Sequence, residues 1–368
     1  MRPRFLPHDG LQGLLDLLAG RGYEVIGPRV KEGAVVLAPV KQASDLPWGV
    51  RETQSPGSYT LEDGDPQRAF GWTIGPSSLK PFLFRQQETL WQSSVDDQGR
   101  LRFESVVQAR PQAVIGVRPC DVAAMLLQDR VFLGGDNVDL RYQARREALF
   151  TVAVNCTQGV ETCFCVSQGG SPRVERGFDM ALTEMDGGLL AEAGSAAGEE
   201  VLRELSLEPA TEAQRQVAEA DIAETATRQR RRTPPQEQLE QALRTSRDHP
   251  QWDVIGERCE SCGNCTKLCP TCICHKQMHL PSLDGEGGEQ VREWASCQSE
   301  AHSYVSGKSL RAERRERYRM RVTHKFANWR EQFGTPGCVG CGRCISWCTH
   351  GIDMTENLHI IVGEPADD

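Results

Sequence analysis

The sequence predicts an α+β protein with three parts: an N-terminal α/β domain, a helical connector and a C-terminal α-helical domain. Short apolar runs alternate with helical stretches as far as residue 187. The composition then shifts to Ala, Glu, Gln and Arg, and from residue 251 onward two dense cysteine runs share one spacing. These three observations place the domains at 1–187, 188–250 and 251–368.

The N-terminal part has the pattern of an α/β domain. Ala34–Pro39, Ala113–Val117 and Phe150–Val154 are short apolar runs typical of strands, and Asp121–Gln128 is typical of a helix. Residues that follow parallel strands emerge at the carboxyl edge of a sheet, where cofactors bind. Cys120 and Cys156 are therefore expected at such an edge.

The connector is predicted to be helical. Its apolar residues recur at helical spacing in three groups: Val201, Leu202 and Leu205; Val217 and Ile222; Leu239 and Leu243. Pro209 and the pair Pro234-Pro235 separate the groups, and proline ends helices. Two or three amphipathic helices are the expected result.

Charge and hydropathy exclude several classes of function. The 368 residues carry a formal net charge of −9, with a pI near 5.5 and a mean hydropathy of −0.47. Because phosphate binding needs a basic face, we expect no nucleic acid partner. The longest apolar stretches, such as Leu14–Leu18 and Ala34–Val40, fall far short of the roughly 20 residues that span a bilayer. With no apolar leader near Met1, a cytoplasmic location is expected.

Fifteen cysteines then call for a metal or redox role, because a reducing compartment keeps thiols free. Two runs have the bacterial ferredoxin spacing C-x2-C-x2-C-x3-C. They are Cys259, Cys262, Cys265 and Cys269, and Cys338, Cys341, Cys344 and Cys348. Gly263, Gly340 and Gly342 suit the tight loops that bring three thiolates onto one cluster. The spacing predicts two [4Fe–4S] clusters in a ferredoxin-like domain.

The ligands are expected to cross between the two runs, because the fourth cysteine of each run ligates the other cluster in two-cluster ferredoxins. The first cluster is assigned to Cys259, Cys262, Cys265 and Cys348, and the second to Cys338, Cys341, Cys344 and Cys269. Thr349 stands where the first run has Pro270, and this change should affect rigidity or potential rather than ligation. Structural zinc is the alternative, but zinc ribbons pair two separated C-x2-C knuckles.

Four more cysteines are candidates for a third [4Fe–4S] cluster: Cys120, Cys156, Cys163 and Cys165. The first two end neighbouring β-type runs, and the last two follow closely in sequence. Buried free thiols that pack as small hydrophobes are the alternative. Cys272, Cys274 and Cys297 remain. A cluster there would lack an obvious fourth thiolate, so we interpret these three as structural.

The run from Lys308 to Lys325 contains eight Lys or Arg residues. Our leading interpretation is a solvated helix face, with contact to an acidic partner or to negatively charged clusters as the alternatives. The sequence has neither a phosphate-binding P-loop nor a dinucleotide fingerprint after a strand. We therefore expect the chain to bind no nucleotide itself and no cofactor beyond the clusters.

Several motifs resemble the β subunit of cytoplasmic NAD(P)-linked [NiFe] hydrogenases, also called sulfhydrogenase, and the related A subunit of anaerobic sulfite reductase. They are Gly116-Val-Arg-Pro-Cys120-Asp121, Asn155-Cys156 with Cys163-Phe-Cys165, Cys269-Pro-Thr-Cys272-Ile-Cys274, Trp294-Ala-Ser-Cys297, His324-Lys325-Phe326 and Cys338-Val-Gly-Cys341-Gly-Arg-Cys344. The resemblance covers nearly the whole chain, and its first three motifs are the most specific.

The resemblance implies a non-catalytic electron-transfer subunit of an oxidoreductase complex. Its expected partners are a flavin subunit that binds NAD(P)H and the catalytic subunits of a [NiFe] hydrogenase. The sirohaem subunit of a sulfite reductase is the alternative catalytic partner. Two other classes stay open from the residues alone: a free-standing ferredoxin-like carrier, and an iron–sulfur protein that grips nucleic acid through Arg311–Arg321.

Overall fold

The computed structural model describes residues 2–363, and strands occur in both its N-terminal and its C-terminal parts. In chain order they are β1 (Arg4–Pro7), β2 (Glu24–Lys31), β3 (Ala34–Pro39), β4 (Val50–Ser55), β5 (Ser58–Asp63), β6 (Gln87–Val95), β7 (Leu101–Ser105), β8 (Gln112–Val117), β9 (Leu149–Val154), β10 (Met180–Met185), β11 (Gly188–Ala193), β12 (His275–Pro281), β13 (Gly287–Trp294), β14 (Tyr304–Val305) and β15 (Lys308–Ser309).

The α-helices are α1 (Leu11–Gly20), α2 (Lys80–Leu83), α3 (Pro119–Phe132), α4 (Leu140–Glu147), α5 (Ala196–Glu204), α6 (Glu212–Arg228), α7 (Gln236–Thr245), α8 (Gln251–Arg258), α9 (Asn264–Lys267), α10 (Arg314–Thr323), α11 (Trp329–Phe333), α12 (Arg343–Ser346) and α13 (Met354–Val362). A π-helical turn, His324–Asn328, joins α10 to α11. Short 3-10 turns lie at His8–Gly10, Ala43–Asp45, Val166–Gln168 and Glu300–Ser303.

The N-terminal half is organised around a sheet that, among the described residues, has seven strands in the order β1-β11-β10-β9-β8-β2-β3. The four central strands, β10, β9, β8 and β2, are parallel, and antiparallel strands close both edges. The predicted strands Ala34–Pro39, Ala113–Val117 and Phe150–Val154 are confirmed as β3, β8 and β9. The predicted helix Asp121–Gln128 lies inside α3.

Apolar side chains cover both faces of this sheet, as expected for parallel strands. On one face α1 and α5 supply Leu14, Leu18 and Val201, which pack with Phe150 of β9 and their neighbours. The opposite face packs on α3 through a second buried cluster. Both faces of the sheet are therefore buried, which leaves its carboxyl edge as the place where side chains from neighbouring strands can meet.

A second sheet joins the N-terminal and C-terminal parts of the chain. Hairpin β12–β13 of the C-terminal part pairs through β13 with β6, in the order β12-β13-β6-β7. Buried ion pairs support this join: Arg292 of β13 bonds Glu88 and Asp139, and Arg145 bonds Glu88. The C-terminal part thus contains two strands that the sequence analysis did not predict. They pair with each other as a hairpin, and only the pairing of β13 with β6 spans almost 200 residues.

The remaining C-terminal elements are helical. α7, α8, α10 and α13 enclose one apolar core with Trp252, Tyr318, Phe326 and Leu358. Two or three helices were predicted for the connector, and the structure has three there: α5, α6 and α7. The boundary expected at residue 187 falls in the β10–β11 turn, so the first part of the expected connector is a strand of the N-terminal sheet. The division into 1–187, 188–250 and 251–368 remains a proposal.

Within residues 2–363 no helix is both long and apolar enough to cross a bilayer.

Candidate metal centres

The first cysteine run begins where α8 ends. Cys259 is the C-terminal cap of α8, and Gly263, with φ +80°, opens the short helix α9. Cys259, Cys262 and Cys265 line one cavity together with Cys348 of the second run. Cys259 is buried, whereas Cys262 is exposed. The structure therefore brings together the four thiols that the crossed assignment groups.

The second run forms an equivalent loop against the N-terminal domain. Gly340 and Gly342 have φ values of +64° and +77°. A Cβ at Gly340 would lie 2.5 Å from the backbone of Phe164, and one at Gly342 would lie 2.4 Å from the oxygen of Thr162. Glycine is thus required at both positions by conformation and by close approach. This contact seats the loop on the segment that carries Cys163 and Cys165.

Cys269 completes the second set of thiols. It lies close enough to Cys338 and Cys341 for their charges to interact, as Cys344 also does. Cys344 additionally interacts with Cys265 and borders the first cavity, so it lies between the two sets. The four thiols Cys338, Cys341, Cys344 and Cys269 therefore face one another.

The four N-terminal candidates also converge. Cys120 begins α3, just beyond the end of β8, and Cys156 follows β9, the parallel neighbour of β8. Cys120, Cys156, Cys163 and Cys165 line one cavity, which Gly340 and Cys341 also border. Burial raises the pKa of the Cys156 thiol to about 11, against the charge of Arg118. The predicted convergence at the carboxyl edge of the sheet is thus present.

Buried cations lie beside these thiols, and the leading interpretation of the Lys308–Lys325 run was wrong for three of its residues. Arg314 and Arg315 are solvent-accessible, but Arg317, Arg321 and Lys325 are buried. They follow one another at intervals of four along α10 and the π-helical turn, and therefore form one inward face. That spacing was the signal available in the sequence, and it favours the alternative of contact with the thiols.

Arg321 lies at the first set. Its side chain is 3% exposed and donates to the carbonyl of Cys265 over 3.0 Å. Burial raises the pKa of the Cys265 thiol to about 12, and the charge of Arg321 opposes this shift. Lys325 lies at the second set, where its Nζ donates to Thr271 Oγ1 over 2.7 Å and to the carbonyl of Gly337 over 2.9 Å. Both cations favour the thiolate forms that metal ligation requires.

Arg118 and Arg343 play the same part near the N-terminal thiols. Arg118 is buried and donates to the carbonyls of Phe70, Trp72 and Asn155. Arg343 donates to both oxygens of Asp121, the residue after Cys120. Sequence reasoning did not identify these two arginines.

Among residues 2–363 no group of three or more His, Cys, Asp or Glu side chains is positioned to hold a single metal ion. The thiol sets described here line cavities together instead. A cubane is bound in this way, because each of its four irons takes one thiolate at a separate corner. The donor set fits iron–sulfur chemistry, since it consists of thiols with buried cations beside them.

Comparison with known proteins also indicates an iron–sulfur protein. Residues 258–352 match the family model of the 4Fe-4S dicluster domain. This segment contains both cysteine runs, and the chain is accordingly an iron–sulfur protein with a dicluster domain.

Most of the chain is similar to sulfhydrogenase 2 subunit beta from Pyrococcus furiosus. The two are 28% identical over 339 residues, which cover 90% of this chain and 93% of the relative. No solved structure matches the chain significantly.

Proposed function

We propose that this chain is the electron-transfer subunit of a hydrogenase complex, and that it carries electrons through a row of three [4Fe–4S] clusters. An electron-transfer role agrees with the dicluster domain and with the hydrogenase subunit homologue. The hydrogenase is favoured over a sulfite reductase because the relative is itself a sulfhydrogenase subunit. Its clusters would pass single electrons, and the chain's own residues hold them in place.

The first two clusters take the crossed ligand sets. Cys348 shares a cavity with Cys259, Cys262 and Cys265, whereas Cys269 lies with Cys338 and Cys341. Crossed ligation ties both loops into one module, so that neither cluster forms independently of the other run. The third cluster takes Cys120, Cys156, Cys163 and Cys165, which share the cavity at the edge of the N-terminal sheet.

The observation that carries the proposal is the sharing of cysteines between neighbouring sites. Cys341 of the second set borders the cavity of the third set and interacts with Cys120 and Cys163. Cys344 of the second set interacts with Cys265 of the first. The second cluster is therefore the middle member of the row. Short separations of this kind are what single-electron hopping needs.

The end of the row at the first set opens toward solvent, since Cys262 is exposed. We assign this end to exchange with a partner subunit. The proposed partners are a flavin subunit that binds NAD(P)H and the [NiFe] catalytic subunits.

Anaerobic purification of the native assembly tests the proposal. We expect the chain to co-purify in fixed stoichiometry with flavin and nickel, and the three proposed cubanes to account for about twelve of its irons, four for each. A chain that elutes alone and reduces many unrelated acceptors would be a free carrier. Sirohaem in place of nickel would identify the reductase, and folded protein with zinc at the two runs would refute the clusters.

A further inference from the structure

Three cysteines lie outside the three proposed clusters, and hairpin β12–β13 brings them together. Cys272 and Cys274 directly precede β12, whereas Cys297 follows β13 by three residues. His275 pairs with Trp294 at the open end of the hairpin, and the amide of Ala295 donates to the carbonyl of Cys274 over 2.9 Å. The register of the hairpin therefore fixes the two sequence-distant ends side by side.

The three thiols lie close together, with Cys274 beside both Cys272 and Cys297. None of the three is in a disulfide. They are therefore a distinct group, and not merely the surroundings of the first cysteine run.

A buried cation faces this group. Lys80 of α2 is 3% exposed, and its Nζ donates to the carbonyls of Lys267 and Thr266 over 2.7 and 3.3 Å. The ammonium also lies 3.8 Å from the centre of the Trp294 ring. Burial lowers the pKa of Lys80, and the neighbouring Cys272, Cys269 and Cys274 act in the opposite direction.

Within the part of the chain that the structure describes, no carboxylate pairs with Lys80 or with its neighbour Lys325. An ammonium group buried without a counter-charge costs several kcal/mol. The groups able to supply negative charge here are thiolates, and thiolates are stable at neutral pH when a metal holds them. Lys325 already faces the second set, whereas Lys80, beside Cys272 and Cys274, indicates an anionic centre of its own.

The group also faces solvent on one side. Cys272 and Cys274 line a cavity with Lys80, Trp294 and Ser296. Both thiols are partly exposed, and a small ligand in this cavity would lie beside the ammonium of Lys80.

We propose that Cys272, Cys274 and Cys297 hold a further iron–sulfur cluster through three thiolates, with its remaining iron open to a small anionic ligand in the cavity beside Lys80. Cys272 lies near Cys269 and Cys297 near Cys265, so this centre adjoins ligands of both dicluster sites. This inference depends on the proposed function in one respect only: the three proposed clusters would supply the further centre with electrons. The sequence-based interpretation of these cysteines as structural is replaced by this proposal.

Iron quantitation on the anaerobically isolated protein tests it. Cys272→Ser and Cys297→Ser should each lose about three or four irons per chain and retain the EPR signals of the dicluster domain. Ser296→Ala, which changes the same cavity without removing a thiol, should keep all iron. Unchanged iron in both cysteine variants would overturn the inference.

A second measurement needs no cysteine variant and so does not depend on their folding. Cyanide added to the reduced, unaltered protein should change one EPR signal, because only an iron without a cysteine ligand accepts it. No change in the spectrum would overturn the open iron site. Cys259→Ser and Cys338→Ser separate this result from the proposed function. If these two variants lose iron but Cys272→Ser does not, the proposed row of clusters is supported and only the further centre is refuted.

Discussion

Arg343 donates to both carboxylate oxygens of Asp121, each over 2.8 Å, across 222 residues of chain. The arginine follows Gly342 in the second cysteine run, and the aspartate follows Cys120 in α3. Both side chains are almost completely buried. This ion pair therefore joins the dicluster loop to the N-terminal thiols, and it fixes two proposed cluster sites relative to each other.

Removing one charge of this pair should destabilise the protein strongly. Asp121→Asn leaves the buried Arg343 without its counter-charge, and breaking a buried pair in this way costs about 3–5 kcal/mol. Denaturant unfolding under anaerobic conditions measures the loss. The exposed pair of Arg315 and Asp253 supplies the control, since Asp253→Asn should leave unfolding almost unchanged. Equal effects of the two variants would contradict the structural role of the buried pair.

Crossed ligation predicts which signal each cysteine controls. Cys348→Ser should impair the cluster held mainly by the first run, and Cys269→Ser the cluster held mainly by the second, because each thiol lies in the other run's set. EPR of the reduced variants distinguishes the two signals. The crossing is wrong if Cys348→Ser alters only the second run's signal.

If the third cluster is present, substituting one of its ligands should lower the iron content by one cluster's worth. Cys120→Ser should lose about four irons per chain, one cubane's worth, because Cys120 lines the cavity with Cys156, Cys163 and Cys165. Ser171→Ala is a matched control, since Ser171 lines the same cavity without a thiol. An iron count unaffected by Cys120→Ser would remove the third cluster from the row.

Arg321 should raise the potential of the first cluster. An electron added to the cluster is stabilised by a fixed positive charge nearby, so Arg321→Met should lower the midpoint potential. A tenfold change in the reduction equilibrium, about 59 mV for one electron, sets the expected scale.

Redox titration followed by EPR makes this measurement. Arg321→Lys keeps the charge and should restore much of the potential, whereas the exposed Arg314→Met should leave it unchanged. A potential equal in all three variants would show that Arg321 serves packing alone.

His324 should contribute to acid instability. Burial lowers its pKa to about 4, below the value near 6.5 of an unfolded histidine. The unfolded chain therefore binds more protons between these values, and stability from neutral His324 falls as the pH drops from about 6.5 to about 4. Thermal unfolding of His324→Gln and the unaltered protein should show a smaller acid loss in the variant. Parallel pH profiles would contradict this assignment.

Much of the fold was predictable because its signals are local. Strands β3, β8 and β9 are short apolar runs, and prolines separate the helices α5, α6 and α7. β11 and the hairpin β12–β13 were missed. β11 lies in the segment expected to be helical, and the pairing of β13 with β6 spans almost 200 residues, a distance at which local periodicity gives no signal.

The sequence by itself determined the chemistry of this protein, because the spacing of thiols in each cysteine run limits what those thiols can hold. Only the tertiary structure decided which distant cysteines meet. Cys163 lies near Cys341 because Gly340 and Gly342 let two backbones touch, and Cys297 reaches Cys274 through a hairpin register. It also decided which cations are buried: Arg314 and Arg321 are equally basic in the sequence, but only one faces the thiols. Burial depends on which helix face packs inward, and that choice is made by the whole fold.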